Sequence, residues 1–136
     1  LAIGAYGAQS SDGRIYIQTS VRDGISESLA ESPIIITGLN DSGFGSSLSS
    51  AGDFDGDGFD DILIGAEGSD TSHIIKGPLS PGNYSATHDL EFENGRSVAG
   101  GHGFDINKDG YSEILIGGPD ATSNGVATLI FGDIQY

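Results

Sequence analysis

Residues 53–66 read Asp-Phe-Asp-Gly-Asp-Gly-Phe-Asp-Asp-Ile-Leu-Ile-Gly-Ala, an acidic run followed directly by an apolar one. The same order recurs at residues 105–118, as Asp-Ile-Asn-Lys-Asp-Gly-Tyr-Ser-Glu-Ile-Leu-Ile-Gly-Gly. A third apolar run, Leu-Ala-Ile-Gly-Ala, occupies residues 1–5. Each apolar run is short, aliphatic and closed by glycine, which predicts a buried strand that enters a tight turn. The chain is therefore built from a repeat.

Further strands are predicted around each apolar run. A polar loop and a second strand follow the run, a third strand comes later, and another strand precedes the acidic residues. The predicted ranges are 14–19, 72–76 and 126–131 for the second strand, 34–37 and 87–92 for the third, and 44–51 and 97–101 for the preceding one. Four short antiparallel strands over about 50 to 60 residues have the size of a β-propeller blade. No stretch has a sustained helical period, so helix content should be near zero.

The predicted fold is all-β, made of antiparallel four-stranded blades of a β-propeller that is incomplete in this chain. About two and a half blades are expected, whereas closed propellers have about four to eight. Residues 1–42 would form a partial blade that lacks the inner strand and the acidic loop. Residues 43–95 would form a blade with the first loop, and residues 96–136 a partial blade with the second.

Composition narrows the choice of partners. The 136 residues carry a formal charge of −15 and no cysteine, with 23 glycines. Such an acidic surface repels nucleic acid and anionic lipid and attracts cations. No apolar stretch approaches the roughly 20 residues that span a bilayer, so membrane insertion is not expected. Neither a Gly-x-Ser-x-Gly elbow nor a cysteine nucleophile occurs, and we expect that the chain is not an enzyme.

The two acidic runs have the ligand spacing of a calcium loop. Each places oxygen-bearing side chains at loop positions 1, 3, 5 and 9, with glycine at position 6, where a Cβ would hinder the turn. Position 7 can add a backbone carbonyl, which brings the set to the six to eight oxygens that Ca²⁺ takes once a bidentate carboxylate or a water is counted. Mg²⁺ requires a stricter octahedron and fits less well. The predicted ligands are Asp53, Asp55, Asp57, Phe59 and Asp61 in the first loop, and Asp105, Asn107, Asp109, Tyr111 and Glu113 in the second.

Two other interpretations, solvated acidic turns and an EF-hand, fit these runs less well than a calcium loop. Solvated acidic turns are common, but two carboxylates about 5 Å apart repel by roughly 3 kcal/mol at an effective dielectric near 20. Four such groups in one loop would splay apart without a cation. An EF-hand opens in the same way but needs flanking helices and a glutamate at position 12. That position is Ile64 or Ile116 here, inside a predicted strand.

The stretch from Gly43-Phe44-Gly45 through the first acidic run to Ile64-Gly65-Ala66-Glu67 resembles an FG-GAP repeat of the integrin α-subunit propeller. In that family the calcium loop lies in a hairpin between the first two strands of a blade. The resemblance implies two bound Ca²⁺ ions with the ligands given above. The third repeat departs from the pattern, because Gly95-Arg96-Ser97 replaces the Phe-Gly pair. A distorted innermost strand is expected there.

The resemblance implies a calcium-binding module with a structural, adhesion or assembly role in an extracellular or cell-surface protein. Its expected partners are another protein, further blades of the same chain, or copies of itself joined head to tail into a ring or filament. The alternative is an accessory propeller region of a larger secreted enzyme. The sequence also has glycosylation sequons at Asn40 and Asn83, a pattern of exported glycoproteins.

Overall fold

A computed structural model describes residues 1–8, 11–19, 33–85, 89–119 and 124–133. These residues form strands and turns. The strands are β1 (Ala2–Ala5), β2 (Arg14–Ile17), β3 (Ile34–Thr37), β4 (Phe44–Gly52), β5 (Asp61–Ala66), β6 (Thr71–Ile75), β7 (Gly82–Ser85), β8 (Leu90–Glu93), β9 (Ser97–Gly100), β10 (Ile114–Gly118) and β11 (Val126–Ile130). The described ranges contain no helix, and therefore none with the length and apolarity of a membrane-spanning one.

The described strands are arranged in three sheets. The first has the order β1-β2-β3-β7, the second β4-β5-β6-β8 and the third β9-β10-β11. Every pairing in the second and third sheets is antiparallel. The prediction of an all-β fold with antiparallel, blade-like sheets is confirmed.

The second sheet lies between the other two, which explains the nearly unbroken apolar sequence of its strand β5. Side chains alternate along a strand, so neighbouring residues of β5 enter different cores. Ile64 packs with Ile15, Ile36 and Phe44 in the core on the side of the first sheet. Leu63 packs on the opposite side, in the core that includes Ile114 of the third sheet. Because both faces are covered, both sets of side chains are apolar.

Polar contacts fix the second and third sheets to each other. The backbone N–H of Val98 donates to Oγ of Ser47 at 3.2 Å. Ser49 Oγ accepts from the N–H of Gly100 at 3.1 Å and donates to the Gly100 carbonyl at 3.2 Å. The innermost strands β4 and β9 are thus hydrogen-bonded through serine side chains, and this contact sets how the loops that follow them meet.

Strand β7 was not predicted from the sequence. Residues 82–85 lie between β6 and β8 in the chain, yet they pair in parallel with β3 of the first sheet, Ile34 opposite Gly82. The N–H of Gly82 donates to the Pro33 carbonyl at 2.7 Å, and Tyr84 packs on the core of the first sheet. The first sheet therefore gains a parallel outer strand from a later part of the sequence.

Most predicted strand bounds agree with the structure to within two residues. The strand predicted at 87–92 is β8, although residues 86–88 lie outside the described ranges. The expected distortion of the innermost strand in the third repeat is wrong. β9 pairs with β10 without a register shift, whereas β4, which carries the Phe-Gly pair, has two shifts against β5.

Candidate metal centre

Each acidic loop connects an innermost strand to the next strand of its sheet. The first loop, residues 53–61, follows β4 and ends at Asp61, the first residue of β5. The second loop, residues 105–113, lies between β9 and β10. Position 12 of each loop falls within a strand, as Ile64 in β5 and Ile116 in β10. The helix that would follow an EF-hand loop is therefore replaced by a strand in both places.

The two loops share a hydrogen-bond pattern at a constant offset of 52 residues. In the first loop, the carboxylate at position 1 accepts from the N–H at position 6, and the side chains at positions 3 and 5 accept from the N–H groups two residues later. The side chain at position 9 accepts from the N–H at position 2. The first-loop bonds are Gly58 N–Asp53 Oδ2 at 3.1 Å, Asp57 N–Asp55 Oδ1 at 3.2 Å, Phe59 N–Asp57 Oδ1 at 2.8 Å and Phe54 N–Asp61 Oδ2 at 3.1 Å.

The second loop repeats all four bonds. They are Gly110 N–Asp105 Oδ2 at 3.1 Å, Asp109 N–Asn107 Oδ1 at 3.0 Å, Tyr111 N–Asp109 Oδ1 at 3.0 Å, and a short bond from Ile106 N to Glu113 Oε2. Sequences that differ at positions 2, 3, 4, 7, 8 and 9 thus fold into one conformation. The spacing of the oxygen-bearing residues, rather than the identity of the others, determines the curl of the loop.

Glycine at position 6 has the backbone conformation that its place in the sequence predicts. Gly58 has φ +91° and Gly110 has φ +97°, values that side chains with a Cβ adopt only with strain. The positive φ turns the backbone so that the N–H of position 6 points back to the first carboxylate of the loop. The predicted role of glycine at this position is confirmed.

Each loop brings three carboxylates together. Oxygens of Asp53, Asp55 and Asp57 lie within 4.8 Å of one another, as do oxygens of Asp105, Asp109 and Glu113. Within the described residues, no hydrogen bond reaches Oδ1 of Asp53 or Oε1 of Glu113, although both atoms are buried. Buried carboxylate oxygens without a donor are costly, and a divalent cation is the partner that such oxygen-rich clusters fit.

Position 9 differs between the loops. Asp61 uses both oxygens on backbone donors, because Oδ1 accepts from Gly77 N at 2.9 Å and Oδ2 from Phe54 N. Glu113 is longer by one methylene group and keeps Oε1 without a hydrogen bond among the described residues. The structure therefore brings Glu113 into the three-carboxylate cluster of its loop, whereas Asp61 is not among the three carboxylates that come together in the first loop.

Burial raises the pKa of the Asp61 carboxyl above its usual value. The N–H groups of Gly77 and Phe54 lower it in part, and the nearby carboxylates of Asp55 and Asp57 raise it further. Each of these neighbouring charges disfavours a charged Asp61. A cation held by the first loop would reverse that electrostatic balance.

The remaining predicted ligands lie on the loops, at the solvent side. Asn107 accepts from Asp109 N through Oδ1 and donates from Nδ2 to Asp109 Oδ2 at 2.8 Å. Phe59 and Tyr111, predicted to bind through their carbonyls, differ in exposure, with 51% of Phe59 accessible and Tyr111 half-buried.

Lys76 is a residue at the first loop that the sequence reasoning did not single out. It follows β6, and its Nζ lies 3.1 Å from Asp55 Oδ2. The pairing of β6 with β5 places the end of β6 beside the start of β5. Lys76 is one of only five Lys and Arg residues against twenty Asp and Glu, so a carboxylate partner for it is the expected arrangement.

Residues 44–86 match the family model described as the FG-GAP repeat. This segment is an FG-GAP repeat. It begins at Phe44, the first residue of β4, and includes the whole first loop with β5, β6 and β7. The second loop lies outside the matched residues, and its likeness to the FG-GAP repeat rests on the shared hydrogen bonds. A search of curated proteins gives no match to the chain.

FG-GAP repeats often bind calcium and typically occur in extracellular proteins. The stacked sheets of this chain are those of a β-propeller-like module. Within that module both carboxylate clusters lie at the same position of the repeat, between the innermost strand and the next strand of its sheet.

Proposed function

We propose that this chain is a calcium-binding FG-GAP module with a non-catalytic, structural role in adhesion or assembly. Asp53, Asp55, Asp57, Asp61 and the Phe59 carbonyl would hold one Ca²⁺, and Asp105, Asn107, Asp109, Glu113 and the Tyr111 carbonyl a second. A bound ion would supply positive charge and a common centre for oxygens that otherwise repel. The loop residues already hold most of those oxygens in place through backbone hydrogen bonds.

One observation carries the proposal. Two loops of different sequence keep the same four hydrogen bonds, and each also leaves a buried carboxylate oxygen without a hydrogen bond among the described residues. Solvated turns would leave such an oxygen in water. An inward, unpaired oxygen in each loop is what a cation ligand requires.

Calorimetric titration of the chain with CaCl₂ tests the proposal directly. We expect two Ca²⁺ per chain with dissociation constants of about 10⁻⁴ to 10⁻³ M, the range of extracellular calcium modules. Mg²⁺ should bind more weakly, because it dehydrates reluctantly and demands octahedral geometry. A chain that binds no Ca²⁺ in this titration would contradict the proposal.

Lys76 should weaken the first calcium site. Its ammonium group lies 3.1 Å from Asp55 Oδ2 and competes with a cation for that carboxylate. We expect Lys76→Met to tighten calcium binding at the first loop about fivefold, since a partly exposed ion pair contributes about 1 kcal/mol. Calcium titration of the variant gives the affinity.

Arg96→Met is the matched control for this substitution. It also removes one positive charge, but Arg96 pairs with Asp70 at 2.7 Å. Its effect on the first loop should be much smaller than that of Lys76→Met. Equal affinities in the wild-type chain and Lys76→Met would contradict the competition.

We also propose an extracellular or cell-surface setting. Sites of about 10⁻⁴ to 10⁻³ M affinity fill at extracellular calcium levels, and the repeat family typically occurs there. The sequon residues Asn40 and Asn83 are both exposed, so glycan attachment is sterically open at each.

The outer face of the third sheet supports an assembly role. Ala99, Leu115 and Leu129 are opposite one another on adjacent strands and form an exposed apolar row, with 40% of Leu115 accessible. The equivalent row of the second sheet contains Leu63, which is fully buried under the third sheet. We propose that another sheet covers Leu115 in the same way, from further blades of the protein or from a second copy joined head to tail.

Sedimentation velocity at high protein concentration tests the version with a second copy. The chain in calcium should self-associate, and Leu115→Glu should remain monomeric because it places a charge in the interface. Leu39→Glu is the control, since Leu39 is comparably exposed at 46% but lies in a turn outside this row. A wild-type chain that stays monomeric would contradict head-to-tail assembly.

A further inference from the structure

The two acidic loops are in direct contact. The backbone N–H of Ser112, in the second loop, donates to the carbonyl of Asp53, in the first, at 3.1 Å. Ser112 lies between two predicted calcium ligands, the Tyr111 carbonyl and the Glu113 side chain. Asp53 is itself a predicted ligand of the other ion. One hydrogen bond therefore joins the ligand sets of both sites.

A second contact joins the loops through the ring of Tyr111. A methyl group placed at Gly56 would collide with Cε1 of this ring, so the ring lies against the bare backbone of Gly56. Gly56 has φ +76° and separates Asp55 from Asp57. The side chain of Tyr111 thus packs on the first site while its carbonyl belongs to the second.

The contact is buried where the two loops meet. Ser112 is 6% exposed, and a methyl group at Gly52, just before the first loop, would collide with its Oγ. The equivalent residues of the first loop lack such surroundings. Phe59 is 51% exposed and the Asp60 side chain 61%. The contact is therefore made by the Tyr111 ring and the Ser112 N–H of the second loop on the backbone of the first loop.

We infer that Tyr111 and Ser112 are positioning residues for the first calcium site, so that the two sites bind calcium cooperatively. The inference rests on the proposed calcium binding. An ion in the second loop orders Tyr111 and Glu113, and with them the Ser112 N–H that holds Asp53. The first site then loses less conformational entropy when it binds calcium, which gives positive coupling between the sites. By linkage, an ion in the first loop raises the affinity of the second by the same factor.

Calcium titration of single-site variants measures the coupling. Asp57→Asn disables the first site and Asp109→Asn the second, each without loss of side-chain volume. We expect each remaining site to bind about fivefold or more weakly than in the intact chain, at the low end of known coupling factors. The two factors should be equal within error.

Tyr111→Ala assigns the coupling to the contact between the loops. It keeps the backbone carbonyl but removes the ring from Gly56. The coupling factor is the affinity of a site in the intact chain divided by its affinity when the other site is disabled. In the Tyr111→Ala background this factor should fall toward one. A purely local disturbance of one loop would instead change the affinity of that loop by the same amount whether or not the other site is intact. Tyr6→Ala is the matched control, because Tyr6 is an exposed tyrosine, 62% accessible, in the turn after β1.

Amide hydrogen exchange gives a second measurement that needs no change at Tyr111. In Asp109→Asn, calcium at the first site should slow exchange of the Ser112 amide, since the acceptor of that amide is the Asp53 carbonyl. Binding of two ions with no coupling, negative coupling, or coupling that Tyr111→Ala leaves unchanged would overturn the inference. Failure of both loops to bind calcium would instead refute the proposed function.

Discussion

Removal of calcium should lower the midpoint of thermal unfolding by about 15 °C. At about 10 mM Ca²⁺, roughly 100 times a dissociation constant of about 10⁻⁴ M, each site adds about 2.7 kcal/mol to the free energy of unfolding. Two sites add about 5 kcal/mol, and a domain of this size shifts by about 3 °C per kcal/mol. Such an increment is a large share of a total stability of about 5–15 kcal/mol.

Thermal melts followed by circular dichroism, in calcium and in excess chelator, check this expectation. The same melts in 10 mM Mg²⁺ control for general screening of the −15 charge, which any divalent cation provides. Magnesium should recover only a small part of the shift. Equal midpoints in calcium and in chelator would show that the fold does not depend on the ions.

The local part of the metal centre could be predicted from the sequence. Its hydrogen bonds join residues two to seven positions apart, as from Gly58 to Asp53 or from Phe54 to Asp61. Such short-range geometry follows from the spacing of oxygen-bearing residues and from glycine at position 6. The same spacing recurs at Asp105, which is why the second loop could be predicted outside the FG-GAP repeat itself.

The strands could be predicted because most of them are buried on one or both faces. β5 is a nearly continuous apolar run and is buried on both faces, whereas β10 is equally apolar although Leu115 on its outer face is 40% exposed. β7 carries no such pattern. Its sequence, Gly-Asn-Tyr-Ser, is polar, and its partner β3 lies about 50 residues earlier in the chain. A parallel pairing at that separation leaves no trace in local periodicity.

Two contacts between the first loop and residues outside it also escaped prediction. Lys76 reaches Asp55 because β6 lies beside β5, and Ser112 reaches Asp53 because the third sheet stacks on the second. The first contact depends on strand pairing within the second sheet and the other on the stacking of two sheets, and neither follows from nearby sequence. The residues that tune the candidate sites are therefore harder to predict than the residues that form them.

Glu113 offers the sharpest test of a single ligand, because replacing it by Gln should destabilise the fold in calcium and stabilise it without calcium. The side chain is fully buried, and Oε1 has no hydrogen bond among the described residues. Glu113→Gln removes the charge and keeps an oxygen that can accept from Ile106 N. In calcium we expect the second site to be lost and the free energy of unfolding to fall by about 1 kcal/mol, which is the contribution of one site, about 2.7 kcal/mol, less the gain that the neutral side chain gives without calcium.

In chelator the same substitution should stabilise the fold by about 1 to 2 kcal/mol, since a buried carboxylate without a cation is costly and a neutral amide of equal size is less so. Denaturant titrations of both proteins in the two conditions measure the difference. Glu93→Gln is the control, because it makes the same chemical change at an exposed strand residue and should shift stability little in either buffer. If Glu113→Gln destabilised the chain equally with and without calcium, Glu113 would be a structural carboxylate and not a metal ligand. The reversal of sign is expected only if its buried oxygen is held for a cation.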